Sequence, residues 1–290
     1  MKTATFTVEF STPAMTSGAS PKGPDSIAEI RSSSIRGQFR WWFRALGGSS
    51  EDEARLFGSV AGERGHASAF ILRIIQILDA SSAPAKPLSL HQKFTPPRTA
   101  RDIGCSDMNT SGYLAFNIRA SGDARAMIPE RTRFVVAILS PRLPLGDFHR
   151  LCQVFRMFAK FGSLGTRSRR TFGCLSLTDE KGALPAEPTS WNYFSNRRVD
   201  WRQLPGGPWP LARLRIEAGI WLKNHRNNRD VLQKRQRGEV FGHAGTDGPL
   251  GEKRRGSPVI LRPVLASNGQ FSLGVIVPRP TPKLLDEAIR

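Results

Sequence analysis

Residues 162–173 read Gly-Ser-Leu-Gly-Thr-Arg-Ser-Arg-Arg-Thr-Phe-Gly, with three glycines and three arginines in one short stretch. Glycine lets a backbone take positive φ and approach a ligand closely. Successive N–H groups in such a turn form a concave anion site. Guanidiniums add charge and planar, bidentate donors that fit phosphate. Gly162 and Gly165 supply the backbone here, and Arg167, Ser168, Arg169 and Arg170 supply the donors. Phe172 is either a stacking surface or a core anchor. An ordinary tight turn also uses glycine. Arginines this close repel one another unless an anion is present, which favours phosphate. The stretch is not a Walker loop, since no Gly-Lys-Ser/Thr follows the glycines. It follows a helix and opens a strand, so it is not a dinucleotide fingerprint either.

A second constellation lies in residues 34–45. Arg36, Arg40 and Arg44 are spaced by four and form one stripe on a helix. Such a stripe can lie along a nucleic-acid backbone. A solvated face with local ion pairs is the alternative, but few acids lie nearby in sequence. Trp41 points away from the apolar face and is placed to stack on a base or an arginine. Trp42 and Phe43 read as core. A third cluster, Lys253, Arg254 and Arg255, offers further phosphate contacts or a solvated basic loop.

Catalysis finds little support. His66, His91, His149, His225 and His243 are scattered, with no His-x-x-x-His pair. Asp102 and Asp107 read as turn formers. No acidic cluster points to a two-metal nuclease. Cys105, Cys152 and Cys174 make no C-x-x-C pair, which leaves no zinc or redox signature. No catalytic residue, metal or cofactor is therefore expected. Sparse cysteines fit a reducing compartment. No segment is apolar and long enough to span a bilayer, and a cytoplasmic protein without a membrane partner is expected.

The balance of charge agrees. The chain has 290 residues and a formal net charge of +19. Its pI near 11.1 exceeds the ~9 that flags nucleic-acid binders.

The elements that must position these residues are legible as patterns. Residues 3–10 alternate apolar and polar as a half-buried strand. Ser32, Ser33 and Ser34 offer N-cap oxygens. Ile35, Phe39, Trp42, Phe43 and Leu46 then share one helical face, which Gly47 and Gly48 end. Residues 69–78 and 133–139 are β-branched runs of strand length, and 113–118 is another strand candidate. Phe148, Leu151, Cys152, Phe155, Phe158 and Ala159 form a second helical stripe. Residues 173–177 return as a strand. The order matches a βαββαβ plan. Residues 84–111 read as a surface insertion and 181–210 as a linker. Beyond it, 211–217 alternates as a strand and 227–237 is a polar segment, possible as a helix. Residues 259–265 and 271–277 form a hairpin turning at Ser267-Asn268-Gly269. Fold class is thus α+β, with a ferredoxin-like first domain and a second domain after it. The domains are 1–180 and a smaller, less complete 181–290.

Three segments together resemble the RAMP superfamily of CRISPR proteins, and more narrowly the family of first subunits of the type III-B Cmr effector complex. That family carries a Lys/Arg-Gly-x-x-Arg-Trp-Trp helix, met here by Arg36-Gly37-Gln38-Phe39-Arg40-Trp41-Trp42. It also carries a Gly-Gly-Leu-Gly-x-Arg-Ser-Arg-Arg-Gly-Phe-Gly loop, resembled by 162–173. Leu56-Phe57-Gly58 matches a short motif after the first helix, and Lys253 to Arg255 precede a strand as expected. Ser163, Thr166 and Thr171 depart from the family's glycine, alanine and glycine. Two lost glycines make the loop backbone less permissive. The resemblance implies two ferredoxin-like domains in tandem, in a non-catalytic subunit that contacts guide RNA and target RNA near the guide 3′ end, beside other RAMP subunits. A metal-independent RAMP endoribonuclease that processes guide precursors is the alternative. Those enzymes usually carry their glycine-rich loop near the C-terminus, whereas here more than a hundred residues follow it.

Overall fold

The computed structural model describes residues 1–16, 28–60, 65–78, 87–88, 99, 101–103, 105, 111–115, 126–185, 199–227 and 259–278. It is a mixed α/β protein with antiparallel sheets in two units. The first unit comprises 1–97, 125–168 and 172–197, and the second 98–124, 169–171 and 198–290.

In the first unit the chain runs β1 (Lys2–Phe10), α1 (Ser32–Ala45), α2 (Ser50–Phe57), β2 (Ile71–Leu78), β3 (Pro87–Leu88), β4 (Arg133–Ser140), α3 (Leu145–Phe161) and β5 (Leu175–Gly182). The sheet order is β3-β2-β4-β1-β5. The alternation in β1 sets its register. Ala4, Phe6, Val8 and Phe10 are all buried, and Lys2 through Glu9 pair with Ser140 through Arg133 of β4. Helix α3 packs on β1 and β5, and α1 packs on α3, α2 and β2. Both apolar stripes read from the sequence are buried. They meet in an aromatic core. The Phe39 ring lies 5.1, 5.7 and 5.3 Å from those of Phe57, Phe70 and Phe155, and Phe155 reaches Phe6 at 4.7 Å.

The start of α1 differs from the expectation. Its N-cap is Arg31, whose side chain makes no capping hydrogen bond, and Ser32 to Ser34 lie inside the helix. The second helix, α2, does have a serine cap. Ser49 accepts from the Asp52 amide, and three acids occupy the first turn. This places Glu53 where the sequence pattern gave no hint of an acid beside α1.

The second unit holds β6 (Val199–Gln203), α4 (Leu211–Asn227), β7 (Ile260–Leu265) and β8 (Phe271–Pro278), with sheet order β6-β8-β7. The β7–β8 hairpin turns at Ser267–Gly269 as expected, with Gly269 at φ +77°. Residues 211–217 are a helix, not a strand. Their short alternation is a fragment of a longer period, since Leu214, Ala218 and Leu222 are buried at helical spacing. Arg215 hid that period: it occupies a core position, only 2% exposed, and donates to the Ile103 carbonyl. Strand β6 lies within the expected linker. Ser111–Tyr113 forms a 3-10 turn where a strand was expected to begin. Residues 228–237 of the expected polar segment lie outside the described residues.

All three cysteines are buried and none is bridged. Burial pushes the Cys105 thiol up to about 11 and the Cys152 thiol up to about 12. A thiol reagent at pH 8 is expected to leave the native protein unlabelled and to label every cysteine in denaturant. Rapid labelling of the native chain would contradict this packing.

Candidate nucleic-acid interface

The glycine loop is tied to the first unit by its backbone. Leu164 N–H donates to Gly173 (2.8 Å), Gly173 N–H to Pro13 (2.8 Å) and Thr166 N–H to Met15 (2.6 Å). Gly165 is at φ +96°, and a Cβ there would collide with the Met15 carbonyl. This position requires glycine. Two non-glycine residues also adopt left-handed backbone, Arg167 at +62° and Thr171 at +70°. Such conformations are uncommon, and for a β-branched residue exceptional. The family glycine at Thr171 would hold this conformation without strain. The other lost glycine costs no backbone strain: Ser163 has no positive φ, and its hydroxyl donates to the Ser168 carbonyl. Phe172 is fully buried, so it anchors the loop and does not offer a stacking face. Gly162 closes α3 against Phe158, where a side chain would meet ring and carbonyl.

Beside this loop lies an open cleft of about 400 Å³, lined by Thr16, Arg31, Ser34, Gly37, Gln38, Leu164, Gly165 and Thr166. The loop therefore does meet the first helix. It meets the face formed by Ser34, Gly37 and Gln38, and helical spacing puts Trp41 one turn further along. Trp41 is half-buried, with its ring edge-on to Trp42 at 5.5 Å. The first turn of α1 has no acid and no side-chain cap. The helix's own residues thus leave its positive end unneutralised, which favours an anion. Arg31 is exposed and makes no ion pair among the described residues. Arg31 was not singled out from sequence, and Gly37 and Gln38 entered only as positions of the helix motif. A glycine inside an amphipathic helix was the signal available for Gly37.

The arginine stripe has a different setting. Arg40 and Arg44 both pair with Glu53 Oε1, Arg44 at 2.7 Å, and Glu53 is buried. Arg36 donates to the Phe57 carbonyl at 2.7 Å and lies over the Phe70 ring. Burial, then the charge of Arg40, lowers its guanidinium pKa. Arg36 thus binds a carbonyl and a ring, while Arg40 and Arg44 make the local ion pairs of the alternative reading. The acid that pairs them comes from the next helix and faces α1 only once both have folded.

A second charge cluster braces α2 on α3. Arg55 bridges Asp147 at 2.6 Å and Asp52 at 2.9 Å, and Arg150 joins Asp52 at 2.7 Å. Hydrogen bonds from Arg55 and then Arg150 hold the Asp52 carboxyl at about 2, against an ordinary 3.8. Arg55 likewise lowers Asp147. A depressed carboxylate stabilises the fold above its ordinary pKa and loses that contribution on acidification. The melting temperature is expected to fall between about pH 4 and pH 2. The fall should be smaller in Arg55→Gln, and an unchanged acid profile in that variant would contradict the cluster's role.

Arg169–Thr171 belongs to the second unit. Arg170 pairs in parallel with Leu261 of β7, and its guanidinium donates to the Val259 carbonyl at 3.0 Å. Arg169 is half-buried, and desolvation lowers its pKa. Lys253, Arg254 and Arg255 lie outside the described residues.

Asp102 accepts from the Thr99 amide (2.6 Å) and hydroxyl (2.7 Å), the turn-forming role expected of it. Among the described residues no group of His, Cys, Asp or Glu is arranged to hold a metal, and no helix is long and apolar enough to cross a membrane. His91, His243 and Asp107 lie outside the described residues.

The RAMP superfamily model matches residues 7–176. Three solved structures share the fold. Cmr1 of Pyrococcus furiosus in its apo form is 20% identical, with 95% of this chain and 87% of that chain covered and a TM-score of 0.58. A chain of the type III-B Cmr-beta complex bound to cognate target RNA is 11% identical, with 99% and 98% covered and a TM-score of 0.55. A chain of that complex with target RNA and AMPPnP, in the presence of single-stranded DNA, gives 11%, 100%, 97% and 0.58. No curated protein sequence matches the chain.

Proposed function

This chain belongs to the RAMP superfamily, and from that premise we propose that it is a non-catalytic RNA-binding subunit of a type III CRISPR effector ribonucleoprotein. It works in the cytoplasm, contacts guide and target RNA near the guide 3′ end, and abuts other RAMP subunits. The observation that carries this reading is the cleft where the glycine loop meets the acid-free first turn of α1. The solved relatives described as bound to target RNA share the fold, and the net charge of +19 suits a polyanion.

Within this reading Arg31 and Arg167 hold phosphates, helped by the amides around Gly165, and Trp41 is the stacking platform. Arg169, Arg170, Lys253, Arg254 and Arg255 are further RNA contacts in this reading. Arg36, Arg40 and Arg44 brace α1 on α2 so that the cleft face keeps its shape. Phosphate contacts position a strand without reading its sequence. That suits an assembly whose specificity comes from guide pairing. The order β2-β4-β1-β5, with α1 after β1 and α3 after β4, supports a ferredoxin-like first domain. We assign it to 1–180, and a second, less complete domain to 181–290.

The test is to incubate the chain with repeat-containing RNA, with and without chelator. Intact RNA is expected. Cleavage at a fixed position under both conditions would overturn the reading in favour of the guide-processing endoribonuclease.

A further inference from the structure

Residues Arg169–Thr171 are docked along β7 by hydrogen bonds. The Leu261 amide donates to the Arg169 carbonyl at 3.1 Å and the Thr171 amide to the Leu261 carbonyl at 3.2 Å. Both lie at the long end of the usual range. The amides of Leu164, Thr166 and Gly173, which tie down the rest of the loop, donate at 2.6 to 2.8 Å. Docking also occupies groups suited to phosphate. The Arg170 guanidinium donates to the Val259 carbonyl at 3.0 Å and to the Arg169 carbonyl at 3.1 Å, and Arg169 is half-buried.

The backbone opposes this arrangement on both sides of the docked residues. Arg167 is at φ +62° and Thr171 at φ +70°. Left-handed backbone is unfavourable for any residue with a Cβ and most of all for a β-branched one. Thr171 carries a second burden. It is fully buried, and its hydroxyl has no hydrogen-bond partner among the described residues. A buried hydroxyl left unpaired opposes folding. Glycine at position 171 would remove both penalties. Strain gathered in one short segment that also carries ligand groups marks an element with a second arrangement available to it.

We infer that residues 168–171 form an autoinhibitory latch: in the chain alone they are docked on β7, and an RNA strand draws Arg169 and Arg170 off β7, which relaxes the backbone at Arg167 and Thr171. The inference rests on the RNA reading and adds a conformational step to it. Apparent affinity is then lowered in proportion to the fraction of chains that is docked and unable to bind. A substitution that eases the docked arrangement must stabilise the protein and weaken its binding together. Thr171→Gly is such a substitution. Its melting temperature is expected to rise by about 2 °C, the relief of strain being partly offset by the greater freedom of glycine in the unfolded chain. Its affinity for single-stranded RNA is expected to fall about fivefold.

The experiment reads hydrogen exchange at the Leu261 and Thr171 amides of the full chain, with and without a labelled single-stranded RNA, alongside melting temperature and RNA retention for wild type, Thr171→Gly and Ser163→Gly. RNA is expected to speed exchange at both amides of the wild type. Thr171→Gly should exchange more slowly there when free, melt higher and bind more weakly. Ser163→Gly has no left-handed backbone to relieve and should not melt higher. Retained RNA that leaves both amides as protected as before overturns the latch and leaves the RNA reading standing. So does a Thr171→Gly variant that binds as tightly as wild type or melts lower, or a Ser163→Gly variant that gains as much stability. A wild-type chain that retains no RNA overturns the RNA reading, and the latch falls with it.

Discussion

Phe39→Ala is expected to destabilise the first unit by about 4 kcal/mol, the largest effect of any single substitution proposed for this chain. Phe39 is fully buried and touches three other rings, from α2, from the entry to β2 and from α3. Removing it deletes the transfer energy of the ring and leaves a cavity that neighbours on three elements cannot jointly fill. Phe39→Leu should lose much less, about 1–1.5 kcal/mol, because most of the volume is kept. Thermal or denaturant unfolding of both variants checks the pair. An alanine variant as stable as wild type would mean that α1 is not seated on this core. The cleft would then lack the rigid wall that RNA binding requires.

The double substitution Arg31→Gln/Arg167→Gln is expected to weaken single-stranded RNA binding about a hundredfold at low salt, from two charge-assisted hydrogen bonds of ~1.5 kcal/mol each. Arg31 stands at the head of α1 and Arg167 follows the cleft residue Thr166. Glutamine keeps most of each side chain's bulk, so the left-handed backbone at residue 167 faces a similar side chain before and after. The salt slope should also fall, by ~0.7 for each phosphate of a single strand that the protein no longer neutralises. Arg40→Gln/Arg44→Gln is the informative comparison. Those guanidiniums are paired with Glu53. Their removal should lower stability and leave the slope near that of wild type. A slope that dropped as far in the second pair as in the first would return the arginine stripe to the RNA surface.

Local periodicity was enough for much of the fold. The two apolar stripes, the first strand and the final hairpin are each set by side chains within one segment, and each stands where its pattern placed it. Residues 211–217 depart from their pattern because Arg215 is buried, so its charge interrupts a helical period that the packing nevertheless uses. The proposed anion site in the basic loop was legible because glycine and arginine advertise their properties in isolation. The partners of the arginine stripe were not, since Glu53 faces Arg40 and Arg44 only after α2 folds back along α1. Arg31 is hidden in the sequence by the three serines behind it, which look like better caps.

The most direct measurement of RNA binding at this cleft is retention of end-labelled single-stranded RNA by the purified chain across a series of salt concentrations, for wild type and Arg31→Gln/Arg167→Gln. Retention of intact RNA is expected, with affinity that falls steeply with salt and a slope shallower by about 1.4 in the variant. A wild-type chain that fails to retain RNA at low salt, or a variant with the same affinity and slope, would contradict the assignment of the cleft.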